Sequence, residues 1–92
     1  MKVVINTCFG GFGLSEAAYE HLGLRWDGYG YDFKEHDKRD DPRLVEVVEK
    51  LGSKANGRFA ELKVVEVPDD VEWSIDEYDG VEWVAEKHQT WS

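Results

Sequence analysis

The sequence predicts an α+β fold: a mixed or antiparallel sheet of about five strands, with two helices packed on one face. Three observations carry this expectation. Short β-branched runs recur at 2–6, 62–67, 71–75 and 81–85, and an aromatic alternation at 26–33 reads as a fifth strand. One segment, 42–51, has the apolar spacing of a helix that buries a single face. The opening unit reads as a strand, a glycine loop and a short helix.

The elements follow in chain order. Lys2-Val3-Val4-Ile5-Asn6 is a strand without polar alternation, so it is expected to be buried. Gly10, Gly11 and Gly13 follow, and Ser15 then has the character of a helix N-cap, with Glu16 in the first turn and Gly23 as the left-handed terminator. Tyr29, Tyr31 and Phe33 alternate with smaller residues, and the highly charged 34–41 segment reads as an exposed loop. Asp41-Pro42 starts the second helix, since the carboxylate caps and proline suits the first helical position. Leu44, Val47, Val48 and Leu51 form its apolar stripe, and Gly52 closes it. Asn56-Gly57 is a turn, and Pro68 stops the next strand.

The last two strands surround Tyr78-Asp79-Gly80. A three-residue loop pairs Ile75 with Trp83 and gathers Val71, Trp73, Ile75, Val81, Trp83 and Ala85 on one face. Glu72 then opposes Glu86, and Asp76 opposes Glu82. A two-residue loop pairs Ile75 with Val84 and mixes apolar with charged residues on both faces. The first register is expected, because a one-residue slip exposes tryptophan. The like charges it opposes cost only about 0.2–1 kcal/mol per pair.

Composition narrows the function. Ninety-two residues are expected to form a single domain, 1–92, with a thin core; 13% aromatic residues help to fill it. One cysteine, Cys8, leaves no internal disulfide, and no apolar run approaches a membrane span or a secretory leader. A cytoplasmic protein without a membrane partner is expected. The net charge is −9, and residues 64–92 hold nine acids and one base. That block repels phosphate backbones, so no nucleic-acid polymer is expected as a partner. It can attract a basic protein surface.

Three ordered motifs carry a resemblance. They are Val4-Ile5-Asn6-Thr7-Cys8-Phe9-Gly10-Gly11-Phe12-Gly13-Leu14-Ser15, then Arg39-Asp40-Asp41-Pro42-Arg43-Leu44-Val45, then Glu82-Trp83-Val84-Ala85-Glu86-Lys87-His88-Gln89-Thr90-Trp91. Together they span nearly the whole chain, which resembles an uncharacterised family of short phage-encoded proteins. The resemblance implies a viral accessory protein in the cytoplasm of an infected bacterium. Counter-defence is the role associated with phage proteins of this size.

The residues offer two functions of different kinds. The first is a non-enzymatic binder, a sponge for a phosphorylated or nucleotide-like small molecule. Gly10, Gly11, Phe12, Gly13 and Ser15 supply backbone amides at a helix start, Arg39 and Arg43 supply guanidiniums, and Tyr29 and Tyr31 supply ring faces. Each feature has a structural alternative. The glycines can form a tight connection plugged by Phe9, Phe12 and Leu14; the arginines can pair with Asp37, Asp40 and Asp41; and the rings can fill the core. The second function is an acidic inhibitor that covers a basic host protein with Glu72, Asp76, Glu82 and Glu86. His88 and Trp91 in the tail suit an interface with a partner or within a homo-oligomer. Cys8 with His21, His36 or His88 is a weak catalytic set, and one cysteine with dispersed histidines gives no zinc spacing. No catalytic residue, metal or cofactor is assigned.

Overall fold

The computed structural model describes residues 1–87; His88 and Trp91 lie outside them. The elements are β1 (Lys2–Asn6), α1 (Glu16–Leu22), α2 (Pro42–Leu51), β2 (Leu62–Glu66), β3 (Glu72–Tyr78) and β4 (Val81–Lys87). Short 3-10 turns occupy His36–Lys38 and Gly52–Ala55. The fold is α+β, as expected, but its four strands form two separate antiparallel ribbons, β1–β2 and β3–β4. No described helix is long and apolar enough to cross a membrane.

The helices begin and end where local chemistry dictates. The Ser15 hydroxyl accepts from the Ala18 amide, and Gly23 adopts a left-handed backbone with φ 72°. Asp41 accepts from the Arg43 amide and Pro42 opens α2. Leu44, Val45, Val47 and Val48 of α2 are buried against Val4, Ala18 and Tyr19, with Leu62 and Val64 packed alongside. Both helices therefore cover one face of the β1–β2 ribbon. The hairpin β3–β4 covers the other, where Val3, Ile5, Val67 and Ile75 are buried together. Strand β1 is enclosed from both sides, the physical reason for its unbroken apolar run.

One expected strand does not form. Residues 26–33 are turns, because Gly28, Gly30 and Phe33 have φ of 88°, 81° and 67°, outside any extended conformation. The 34–41 segment is not wholly exposed either. Arg39 within it is 1% exposed and forms the polar centre of the fold.

The two ribbons do not merge: the Arg39 backbone and the Arg39 and Glu82 side chains occupy the outer edge of β1. The Val4 amide donates to the Arg39 carbonyl at 2.9 Å, and Arg39 Nη1 donates to the Val4 carbonyl at 3.3 Å. The Asn6 amide donates to Glu82 Oε1 at 2.7 Å. Arg39 meets the two Glu82 oxygens in a bidentate pair at 2.6 and 2.7 Å. Its remaining donors reach the Phe33 and Lys34 carbonyls, so all five N–H groups are satisfied. Phe12 lies against its flat face, 3.9 Å from ring centroid to Cζ.

This pair overturns the expected hairpin register. The observed pairing is Ile75 with Val84, Trp73 with Glu86 and Glu77 with Glu82, closed by the two-residue turn Asp79-Gly80. Both turn residues have positive φ, 52° and 92°, the hairpin turn whose twist matches the flanking strands. Glu82 therefore points inward and is buried rather than lying on an acidic outer face, while Trp83 is turned outward and left 45% exposed. Glu72 no longer faces Glu86, nor Asp76 Glu82. Tryptophan burial set against like-charge repulsion alone favours the other register. Neither effect includes a buried arginine that recruits one of those carboxylates.

Such a pair adds little net stability over an apolar replacement, yet breaking it leaves a buried charge without a partner. We expect Glu82→Ala to destabilise the fold by about 3–5 kcal/mol, and Asp76→Ala, on the exposed strand face, by under about 0.5 kcal/mol. Urea unfolding followed by tryptophan fluorescence measures both. Equal, small losses would contradict the inward placement of Glu82.

Candidate ligand-binding cleft

A cleft of about 290 Å³ opens where three loops meet. Gly10, Gly11, Phe12 and Gly13 line it from the β1–α1 connection, Gly28, Tyr29 and Tyr31 from the following loop, and Arg58 and Phe59 from the turn before β2. Six of the nine expected ligand residues thus come together: Gly10, Gly11, Phe12, Gly13, Tyr29 and Tyr31.

Short-range hydrogen bonds build each wall. Asn6, wholly buried, donates through Nδ2 to the Cys8 and Gly80 carbonyls and accepts the Glu61 amide at Oδ1. This ties the glycine loop to the hairpin tip and to the start of β2. The Cys8 thiol donates to the Phe59 carbonyl at 2.8 Å. At Gly10 a Cβ would overlap that same carbonyl, so only glycine lets the 57–59 turn cross so closely. Leu14 and Ser15 donate their amides to the Gly30 and Ala55 carbonyls, both at 2.9 Å. The amides of Gly10, Gly11, Phe12 and Gly13 have no hydrogen-bond partner among the described residues.

The tyrosines are organised by Asp27. Its Oδ1 accepts the amides of Tyr29 and Gly30 at 2.8 and 2.6 Å, and Oδ2 accepts the Tyr31 amide and the Tyr19 hydroxyl, both at 3.3 Å. These bonds, the Gly30 amide foremost, hold the Asp27 carboxyl below its ordinary value. Burial pushes the Tyr19 hydroxyl well above its usual range, so it remains a donor. Tyr29 and Tyr31 stack at 5.5 Å with 16° between their planes, and are 71% and 49% exposed. They are not core residues; Phe12 and Leu14 are. Lys34 Nζ sits 4.5 Å over the Tyr31 ring, and Arg58 lies 5.5 Å over Phe59.

The charge of the cleft departs from that of the molecule. Among the described residues, its lining includes Arg58 and no carboxylate. Four other surface clefts all have carboxylates in their walls. The cleft thus brings a glycine loop, a guanidinium and ring faces together, groups suited to a planar anion.

Three expected ligand residues are placed elsewhere. Arg39 is buried in the Glu82 pair and presents no free donor. Arg43 pairs with Asp41 at 3.2 Å and lies over Phe33, outside the cleft lining. Ser15 is occupied as a cap, its hydroxyl also donating to the Lys54 carbonyl at 2.6 Å. Arg58 and Phe59 were missed. Their signal was a cation and a ring directly after the Asn56-Gly57 turn, where side chains are exposed.

Other chemical readings find little support. The Cys8 thiol rests on the Phe59 carbonyl and, at 3.6 Å, on Asn6 Oδ1, both acceptors rather than bases poised to activate it. His36, Glu77 and Glu82 bring ligand atoms within 4.8 Å of one another, but Arg39 already engages both oxygens of Glu82. A metal ion there would sit beside a guanidinium. No protein-family model, curated protein or solved structure matches the chain.

The Asp27 geometry has a pH signature. A carboxyl held below its ordinary 3.8 contributes order above that value and loses it as pH falls through the depressed one. The Tyr29 and Tyr31 amide signals in NMR should therefore hold through the ordinary carboxylate value and shift together only below it. Asp27→Ala should abolish that step and disorder both amides at neutral pH. A step at the ordinary carboxylate value would show that these bonds are weak.

Proposed function

We propose that this protein binds a small, planar, phosphorylated or nucleotide-like molecule in the glycine–tyrosine cleft and holds it without chemical change. The observation that carries this reading is the meeting of the glycine loop, a tyrosine stack and Arg58 in a cleft whose described lining lacks carboxylates. Amides and guanidinium recognise the anion, and the rings recognise the plane. The groups lining the cleft orient a ligand; none is paired as a nucleophile with a base. The resemblance to short phage proteins supports a counter-defence role, in which the binder sequesters a messenger of the infected host.

Titration calorimetry against mononucleotides, cyclic dinucleotides and ADP-ribose derivatives tests the reading. A ligand from this panel should bind, and Tyr31→Ala should weaken it by about 1–3 kcal/mol, the worth of one ring stacked on a base. Arg58→Glu should weaken it by at least about 1.5 kcal/mol through loss of a charged hydrogen bond. Both residues are surface-exposed, so the unfolding midpoint should hardly move. Silence across the panel, or a ligand indifferent to both substitutions, would refute the proposal.

A further inference from the structure

The hairpin leaves a strand edge open. A two-residue loop makes Tyr78 and Val81 a hydrogen-bonded pair, so Trp73, Ile75 and Glu77 turn their N–H and C=O groups away from β4. Among the described residues, no backbone bond outside the β3–β4 ladder involves these three. The edge of β1 is closed by Arg39 and Glu82; among the described residues no hydrogen bond closes that of β3, where Ile75 is buried and Trp73 and Glu77 are more open. Beside it, a cleft of about 400 Å³ runs between β3 and the 36–40 segment, lined by His36, Asp37, Asp40, Trp73, Ser74 and Ile75. Glu72, Asp76 and Glu77 add carboxylates along β3 itself.

We propose that the free edge of β3 takes up an extended, basic segment of a partner protein as a third strand. Backbone groups of Trp73, Ile75 and Glu77 supply the pairing. Lysine or arginine side chains of the added strand reach Asp37, Asp40 and the half-buried Trp73 ring, a site for a cation beside carboxylates. Charge selects this occupant. A second copy pairing through the same edge would set β3 carboxylates against their own kind, and a nucleic acid would bring phosphates to them. The surface is separate from the glycine–tyrosine cleft, with which it shares no lining residue.

The probe is the synthetic peptide Lys-Val-Lys-Val-Lys-Val-Lys, compared with its fully N-methylated counterpart and with a glutamate-for-lysine version. Calorimetry should detect the first alone. Affinity should fall about tenfold or more between roughly 0.05 and 0.5 M salt. Amide exchange at Trp73, Ile75 and Glu77 should slow on binding. Asp37→Lys should weaken the complex through charge. Glu77→Pro should weaken it by removing an outward donor while sparing the β3–β4 ladder, as unchanged exchange of the Tyr78 amide would show. Equal binding of the N-methylated peptide would reduce the effect to unspecific charge attraction and overturn the proposal. So would absence of binding, unchanged exchange at the three amides, or self-association of the chain through this edge.

Discussion

The pairing of Arg39 with Glu82 is the constraint on which the rest of the structure depends. It joins four parts of the chain that are distant in sequence: the edge of β1, the 33–34 turn, the glycine loop through Phe12, and strand β4. A guanidinium buried among carbonyls demands a counter-charge at one place, and Glu82 meets that demand at two oxygens while also accepting the Asn6 amide. Once Glu82 is inside, the hairpin register follows. Trp83 is turned out, and the two-residue turn brings Gly80 against the Phe9 carbonyl and the Gly11 amide.

That docking connects the fold to its cleft. The glycine loop is held at its edges by Asn6, Cys8, Gly80, Leu14 and Ser15. In the proposed binding, a loop fixed at its ends would lose little conformational freedom. Asp27 does the same for the tyrosines by taking three consecutive amides, 29 to 31, with one carboxylate.

Charge is partitioned between the two proposed surfaces. Carboxylates gather along β3 and the 36–40 segment, whereas the described lining of the glycine–tyrosine cleft has none. Under the two proposals a strongly acidic molecule would hold an anion at one place and a basic strand at another, because screening confines each field to about 10 Å. The tyrosine stack and Arg58 would be invisible to any argument from net charge alone.

Local chemistry in the sequence determined much of this protein. Ser15, Gly23, Asp41 and Pro42 bounded both helices, the apolar stripe of α2 gave its buried face, and β-branched runs located all four strands. The glycine loop and both tyrosines, which the sequence singles out, line one cleft. Tertiary structure alone decided which arginine and which carboxylate are buried. Arg39 and Arg43 look alike in a charged segment, and only the first meets a partner 43 residues away. The same holds for the register of β3 and β4, for the absence of a strand at 26–33, and for Arg58 as the cation of the cleft. Helix caps and strand propensities act over a few neighbouring residues. The burial of a charge depends on every group that closes around it, and those groups come from loops whose meeting no local pattern encodes.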